Sequence, residues 1–171
     1  MLRRFRGESV HKVDQKGRVS VPASFRRVIE EGDPDWDRDN KDRAATFVLI
    51  YGFKGRIEGY TMEGMEEIDE MISALPRFSD RRRIAERLIN TKSMDAQVDD
   101  NGRIILPAKL RQEFEIEGEA VFAGMGDHFQ IWSPTAYDAD NAGIAEKMDE
   151  HGGLDGMESL FAMIEGSGSG S

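Results

Sequence analysis

In two separate parts of this chain, apolar and polar residues alternate over a short distance and then run through a glycine-containing turn into a brief helical pattern. Val10, Lys12 and Asp14 alternate with His11 and Val13, a period of two that predicts a short strand. Asp14-Gln15-Lys16-Gly17-Arg18 reads as a turn, and Val19-Ser20-Val21 resumes the strand. Pro22 stands where a first helical turn tolerates a missing N–H, and Phe25, Val28 and Ile29 mark one apolar face behind it. The same grammar returns at Asp99-Asp100-Asn101-Gly102-Arg103, Ile104-Ile105-Leu106, Pro107, and the pair Leu110 and Phe114. Gly17 and Gly102 supply the positive φ that a tight turn demands. The runs 46–51 and 120–123 are rich in β-forming residues, and each leads through glycines into a strand ending at Tyr60 or Trp132.

The two stretches are copies. Residues 14–26 align without gaps on residues 99–111, with Asp, Gly, Arg, Pro, Ala and Arg recurring and three other positions exchanging one apolar side chain for another. Residues 56–61 resemble 128–133 more weakly, at an offset of 72 where the first block has 85. The first copy therefore carries about thirteen extra residues, and the turn-rich, charged segment 32–43 is where they are expected, as a surface loop. A four-strand unit of this size leaves its edges unpaired and has little core of its own, so the copies are expected to complete each other. The expected fold is mainly β with short helices (α+β), one small barrel or sandwich with pseudo-twofold symmetry built from both repeats.

The organisation follows: a first repeat over 8–62 with its insertion at about 32–43, a helical connector over 63–91, a second repeat over 92–135, an acidic helical region over 136–165 and a flexible Gly/Ser tail over 166–171. In the connector, Met65, Ile68, Ile72 and Leu75 fall at helical spacing; Pro76 breaks the run, Ser79 is a natural N-cap, and Ile84, Leu88 and Ile89 form a second stripe. Both stripes are expected to be core. A weaker stripe, Leu154, Met157, Leu160, Phe161 and Ile164, either docks on a neighbouring subunit or frays.

Composition narrows the function classes. The 171 residues contain no cysteine, which removes disulfides and thiolate chemistry and suits a reducing cytosol. No apolar run approaches the ~20 residues of a membrane helix, and the basic start lacks the apolar stretch of a secretory signal, so a cytoplasmic protein is expected. The net charge of −10 is polarised: residues 1–31, 32–111 and 112–171 carry +4, −2 and −12. A basic N-terminal face is compatible with a directed anion site, because counterion release depends on local Lys and Arg; a solubilising acidic tail on an ordinary domain explains the same numbers. His11, His128 and His151 are isolated, Gly124–Phe129 lacks the last glycine of a dinucleotide loop, and no nucleophile elbow or phosphate loop is present. Neither an enzyme nor a cofactor, metal or small-molecule ligand is expected. Trp36 and Trp132 do not form a stacking platform for single strands. Arg81, Arg82, Arg83 and Arg87 are expected to pair with Asp80 or Glu86 on a solvated helix face.

Two Asp-x-x-Gly-Arg turns, each followed by apolar-x-apolar-Pro-Ala-x-apolar-Arg, resemble the MraZ family, whose chains hold two repeats related to the AbrB/SpoVT DNA-binding fold. The resemblance covers about residues 2 to 150. It implies a swapped-hairpin barrel, a ring-shaped homo-oligomer, and a transcriptional regulator of the repressor type, acting on repeated promoter boxes of the division and cell-wall gene cluster. The partners implied are double-stranded promoter DNA and the chain itself, in the nucleoid and not at a membrane. The family's Asp-x-x-x-Arg motif carries over to Asp14 and Arg18, and to Asp99 and Arg103.

Independently of that resemblance, a guanidinium on a tight β-turn projects from the sheet with little freedom and can fork onto phosphate oxygens or onto guanine O6 and N7. The aspartate four residues earlier orients the fork. Lys12, Lys16 and the Arg3-Arg4-Arg6 cluster make the first copy the more basic, whereas Asn101 and Asp100 weaken the second. The DNA-contacting set expected is Arg3, Arg4, Lys12, Asp14, Lys16, Arg18, Asp99 and Arg103. The competing reading is a non-enzymatic interaction or assembly module in which Asp and Arg merely bridge their turns.

Overall fold

The computed structural model describes residues 4–40 and 42–167, so Arg3 and residues 168–171 lie outside the described residues. The chain divides into two units, Met1–Pro134 and Thr135–Ser171. In the first, β1 (Glu8–Lys12), β2 (Arg18–Ser20) and α1 (Ala23–Glu31) are followed by β3 (Thr46–Ile50) and β4 (Ile57–Thr61). Next come α2 (Met62–Ser73), α3 (Asp80–Ala85) and a π-helical turn at Glu86–Asn90. The pattern then repeats as β5 (Ser93–Gln97), β6 (Arg103–Ile105), α4 (Ala108–Glu113), β7 (Glu119–Gly124) and β8 (Phe129–Trp132). The mixed α+β architecture with short helices and antiparallel strands is the expected one.

Strands of one repeat pair chiefly with strands of the other. Six form an antiparallel sheet in the order β1-β7-β8-β4-β3-β5, and β2 pairs with β6 in a separate two-stranded ribbon. Exchanging each strand for its counterpart reverses the sheet order and leaves the ribbon unchanged, which is the mark of a pseudo-twofold axis. The registers obey it residue by residue: Glu8↔Ala123 maps onto Ile50↔Ser93. Val19↔Ile104 in the ribbon and Glu58↔Gln130 in the sheet map onto themselves, so the axis passes through both pairs. Most of the extra length in the first copy falls between α1 and β3, where the segment after Glu31 replaces the short link between Glu113 and Glu119. Asp33 pins this loop: its buried carboxylate accepts from the N–H of Asp35 at 3.0 Å and from the N–H of Thr46, the first residue of β3, at 2.9 Å.

Sheet, ribbon, α1 and α4 enclose one core. Val19, Val21, Ile104 and Leu106 from the ribbon strands and their ends meet Phe25, Ile29 and Leu110 from the helices and Phe47, Phe122 and Ile131 from the sheet. Phe129 stands at its centre, with ring centroids 5.0 Å from Phe5, 5.4 Å from Phe25, 5.8 Å from Phe47 and 5.9 Å from Phe122. Each such buried ring stabilises the fold by roughly 1.5–3 kcal/mol, more than any exposed ion pair supplies. On the other face of the sheet, α2 covers β3 and β4. Thr61 caps it by accepting from the N–H of Gly64 at 2.9 Å, and Met65 packs with Val48 and Ile50.

Two local expectations change. Pro22 and Pro107 precede their helices as extended cap residues, with ψ of 138° and 146°, and do not occupy the first turn. Ile84 and Leu88 are exposed, at 59% and 39%, and only Ile89 of the second stripe reaches the Val48 cluster. Ile84 belongs to α3, and Leu88 and Ile89 to the π turn that follows it. Ser79 does cap α3, and Arg82 and Arg83 do pair on the helix surface, with Glu86 at 3.0 Å and Asp80 at 3.8 Å.

The second unit is helical, with α5 (Pro134–Glu150) and α6 (Met157–Ser167). The chain leaves α5 through Gly152 and Gly153, both at positive φ, and the N–H of Gly153 donates to the carbonyl of Met148 at 3.0 Å. Met157, Phe161 and Ile164 are exposed along α6. No helix of the described residues is long and apolar enough to cross a membrane.

The turn glycines give a test of the interleaving. Gly17 has φ +87°, and a β-carbon there would lie 2.2 Å from the carbonyl oxygen of Leu106 in the other repeat; at Gly102, φ +74°, it would meet only the Arg26 guanidinium, at 2.6 Å. Backbone cannot retreat as a side-chain end can. Gly17→Ala is expected to lose more stability in urea unfolding than Gly102→Ala, whose cost is the positive-φ strain of roughly 1–3 kcal/mol.

Candidate nucleic-acid interface

Both Asp-x-x-Gly-Arg segments fold as the same closed turn. At the first, the N–H of Asp14 donates to the carbonyl of Arg18 at 3.1 Å and the N–H of Gly17 donates to the carbonyl of Asp14 at 3.0 Å. Asp14 Oδ1 accepts from the N–H groups of Lys16 and Arg18 at 3.0 and 2.9 Å, which spans the turn from inside. Its other oxygen, Oδ2, accepts from Arg18 Nε at 2.6 Å. That contact uses the inner nitrogen of the guanidinium, so the fork is held at its base.

The second turn repeats the backbone and relaxes the side chain. Asp99 Oδ1 accepts from the N–H groups of Asn101 and Arg103, both at 2.9 Å, but Asp99 Oδ2 is 3.6 Å from Arg103 Nε. Arg103 Nε is thus buried without a hydrogen-bond partner among the described residues. The carboxylates differ from free aspartate accordingly. The N–H of Arg18, with its guanidinium and the N–H of Lys16, holds the Asp14 carboxyl below the usual range against an opposing desolvation. At Asp99 partial burial pulls upward, and the N–H groups of Arg103 and Asn101 with the Arg103 charge overcome it to give a net lowering.

The ribbon sets where these arginines go. Val19 and Ile104 are buried on its inner face, so Arg18, Ser20, Arg103 and Ile105 share the outer one, with Arg18 opposite Ile105 and Ser20 opposite Arg103. Lys12 joins Asp14, Arg18, Ser20 and Arg103 around an open depression of about 480 Å³, completed by Val13, Gly118 and Glu119. Lys16 is exposed at the tip of the turn. Arg4 is exposed but elsewhere. Its neighbour Phe5 pairs with Gly126 beyond one end of β7, whereas Val13 meets Gly118 beyond the other, so the six residues of β7, roughly 20 Å, separate Arg4 from the turn.

Two residues beside the turns are invisible as site residues in the sequence. Arg111 Nε donates to the carbonyl of Leu106 at 2.9 Å, and its Nη1 donates to the carbonyl of Gln15 at 3.4 Å, so the helix of the second repeat grips the turn of the first. Arg26, its counterpart, lies against Gly102. The signal was present as the last arginine of each aligned copy; nothing in one copy tells that its arginine serves the other.

Two of the histidines, His11 and His128, sit in packed networks, and His151 is exposed just after α5. Burial lowers the pKa of His11, whose ring lies edge-on to Phe122 at 5.2 Å. His128 stacks on Tyr60 at 5.0 Å beside Asp127, and the buried Glu58 accepts from Tyr60 and from Arg56 Nε at 2.7 and 2.8 Å. Desolvation and the Glu58 hydrogen bond push the Tyr60 hydroxyl pKa strongly upward. Among the described residues no group of three or more His, Asp or Glu side chains is placed to hold a metal ion.

With that geometry in hand, similarity to known proteins becomes informative. The family profile described as "MraZ protein, putative antitoxin-like" matches residues 4–88 and 91–151. Proteins named Transcriptional regulator MraZ are similar over most of the chain. The one from Ruegeria sp. (strain TM1040) is 53% identical over 153 residues, covering 88% of this chain and 90% of its own, and that of Ruegeria pomeroyi is 50% identical over the same shares. The one from Roseiflexus castenholzii is 33% identical over 153 residues, covering 85% and 97%.

The depressed carboxylates make a prediction. A lowered folded-state pKa means that the charged form stabilises the fold fully above the unfolded value, roughly pH 4, and that this contribution is lost as pH falls through the lower folded value. Asp14→Asn removes that contribution, so the stability of the variant, followed by urea midpoints from pH 6 to 2.5, is expected to fall less steeply with acid than that of the unsubstituted chain.

Proposed function

Because the chain belongs to the MraZ family, we propose that it is a sequence-specific, DNA-binding transcriptional regulator in which the first turn makes the principal contact. The observation that carries this reading is the Arg18 guanidinium held through Nε by Asp14 on a closed turn. Such a fork arrives at DNA already oriented and can take two phosphate oxygens or the O6 and N7 of one guanine. Lys12 and Lys16 add local positive charge, and counterion release depends on that local charge and not on the −10 of the whole chain. Asp99 and Arg103 are the weaker second contact, since Asp99 does not hold Arg103 Nε at hydrogen-bond distance. Arg4 acts at most as a separate phosphate contact beyond the far end of β7.

The finer reading follows the family resemblance: a repressor of the division and cell-wall gene cluster, working in the cytoplasm at the nucleoid, that binds repeated promoter boxes as a ring-shaped homo-oligomer. One turn alone binds weakly, in the range of about 10⁻⁴ to 10⁻⁶ M for non-specific contacts at physiological salt. Repeating it at a fixed interval raises the effective concentration when the boxes match that interval. The exposed apolar side chains Met71, Phe78, Ile84 and Leu88 around α2 and α3 support assembly. A second reading, an assembly module whose turns are structural, has one observation in its favour: Asp14 and Asp99 each accept the backbone N–H groups that close their own turn.

Binding to the chain's own upstream promoter fragment against a scrambled one, across a salt series, separates the two. Under the regulator reading, Arg18→Ala loses at least about tenfold in affinity and reduces the salt slope by about 0.9 per phosphate contact, with an unchanged size-exclusion profile. Arg103→Ala loses less. An Arg18→Ala chain that binds normally but unfolds or dissociates supports the assembly module.

A further inference from the structure

The two arginines are treated above as two contacts, yet the ribbon brings them to one place. Arg18 and Arg103 lie on a cross-strand diagonal of its outer face, a geometry that sets β-carbons roughly 7–8 Å apart. Two guanidiniums at that spacing reach a single tetrahedral anion from opposite sides. Both line the depression that also holds Lys12 and the exposed hydroxyl of Ser20, which stands directly opposite Arg103. Of the acidic groups there, Asp14 is committed to its turn and to Arg18 Nε, and Glu119 is the register partner of Lys12.

The pseudo-twofold axis supplies an internal comparison, because the counterpart of Ser20 is Ile105, on the same outer face. The hollow beside Ile105 holds Met94, Asp95, Asp99 and Asp100, with Arg103 as its sole cation among the described residues. One side of the ribbon therefore gathers three cations and a hydroxyl donor around two carboxylates, and the other sets one cation against three carboxylates. Arg103 borders both hollows, and toward the acidic one it makes only the 3.6 Å ion pair of its Nε with Asp99, too long for a hydrogen bond.

We propose that Lys12, Arg18, Ser20 and Arg103 form one composite seat for a single DNA backbone phosphate, with Ser20 as the hydroxyl donor that makes the two sides of the ribbon unequal. Arg103 then serves the first repeat's site instead of forming a separate one, and phosphate enters from the Lys12 side. The inference rests on the DNA-binding reading and adds to it the grouping and the side of approach.

The test places the same charge in the two hollows. Ser20→Asp puts a carboxylate into the seat and is expected to weaken binding to the promoter fragment at least about tenfold, whereas Gln97→Asp, at the counterpart of Lys12 in the acidic hollow, leaves it within about threefold. Both sites are on an exposed face, and melting curves with size-exclusion profiles check that each variant keeps its fold and assembly. Arg18→Ala and the double variant Arg18→Ala/Arg103→Ala are expected to reduce the salt slope alike, by about 0.9 for each engaged subunit, because each subunit loses one phosphate; two independent contacts would double the reduction in the double variant. Equal losses in Ser20→Asp and Gln97→Asp, or the doubled slope change, overturn the seat while leaving DNA binding intact. An unsubstituted chain without DNA affinity overturns the functional reading itself, and the same chain binding inorganic phosphate at Lys12 and Ser20 assigns the hollow to a free phosphate and overturns the proposal.

Discussion

The antiparallel pairing of β2 with β6 holds the rest of the molecule in place. Three residues from each repeat make this ribbon, and the pair Val19↔Ile104 lies on the pseudo-twofold axis with both side chains buried. Its inner face closes the core over Phe129 and its neighbours, and its outer face carries both arginines. The pairing also continues into the turns, where the N–H of Leu106 donates to the carbonyl of Gly17 at 2.8 Å and the N–H of Val21 donates to the carbonyl of Gly102 at 2.9 Å. Each turn is therefore closed on one side by its own aspartate and on the other by backbone from the opposite repeat. Burial on one face and charge on the other are consequences of a single register, since a shift by one residue would bring the arginines inside.

Much of this was legible in the sequence because the signals were local. The glycines of the two turns, the alternation before and after them and the helix that follows each are properties of a dozen consecutive residues, and all appear in the structure. Even the offsets of 85 and 72 translate directly into registers that map onto one another. What the sequence hid is what depends on a partner segment far away. Arg26 and Arg111 recur as plainly as Arg18 and Arg103, but their positions over the opposite repeat's turns follow only from the interleaving. Ile84 and Leu88 look like core by spacing, yet both are exposed, because helical spacing says which residues share a face and not what that face packs against. Arg4 is close to Lys12 in sequence and far from it in space, because an extended strand carries the chain away at about 3.3 Å per residue.

The site itself illustrates a division of labour between the two halves of one residue pair. Asp14 spends one oxygen on backbone N–H groups and the other on Arg18 Nε, so the turn and the guanidinium direction are fixed together. At the second copy the same backbone closes with the side-chain contact lengthened by an ångström, and the surroundings turn acidic. The difference between the copies is therefore electrostatic and rotameric, not a difference of fold. This is why the polarised charge along the chain, barely informative as a sum, becomes informative once the ribbon shows which side each charge lies on.

The interleaved register also bears on how such a molecule can change. A chain carrying a single repeat could build this core only by pairing with an identical copy, and every substitution would then appear twice, on both sides of an exact dyad. Joining the two copies covalently lifts that restriction. Ser20 can stand where its mate is Ile105, one hollow can gather lysine while the other gathers aspartate, and a loop can lengthen between Glu31 and Thr46 with no matching growth after Glu113. The shared core keeps the halves locked together, while fusion leaves their outer surfaces free to drift apart and acquire separate tasks.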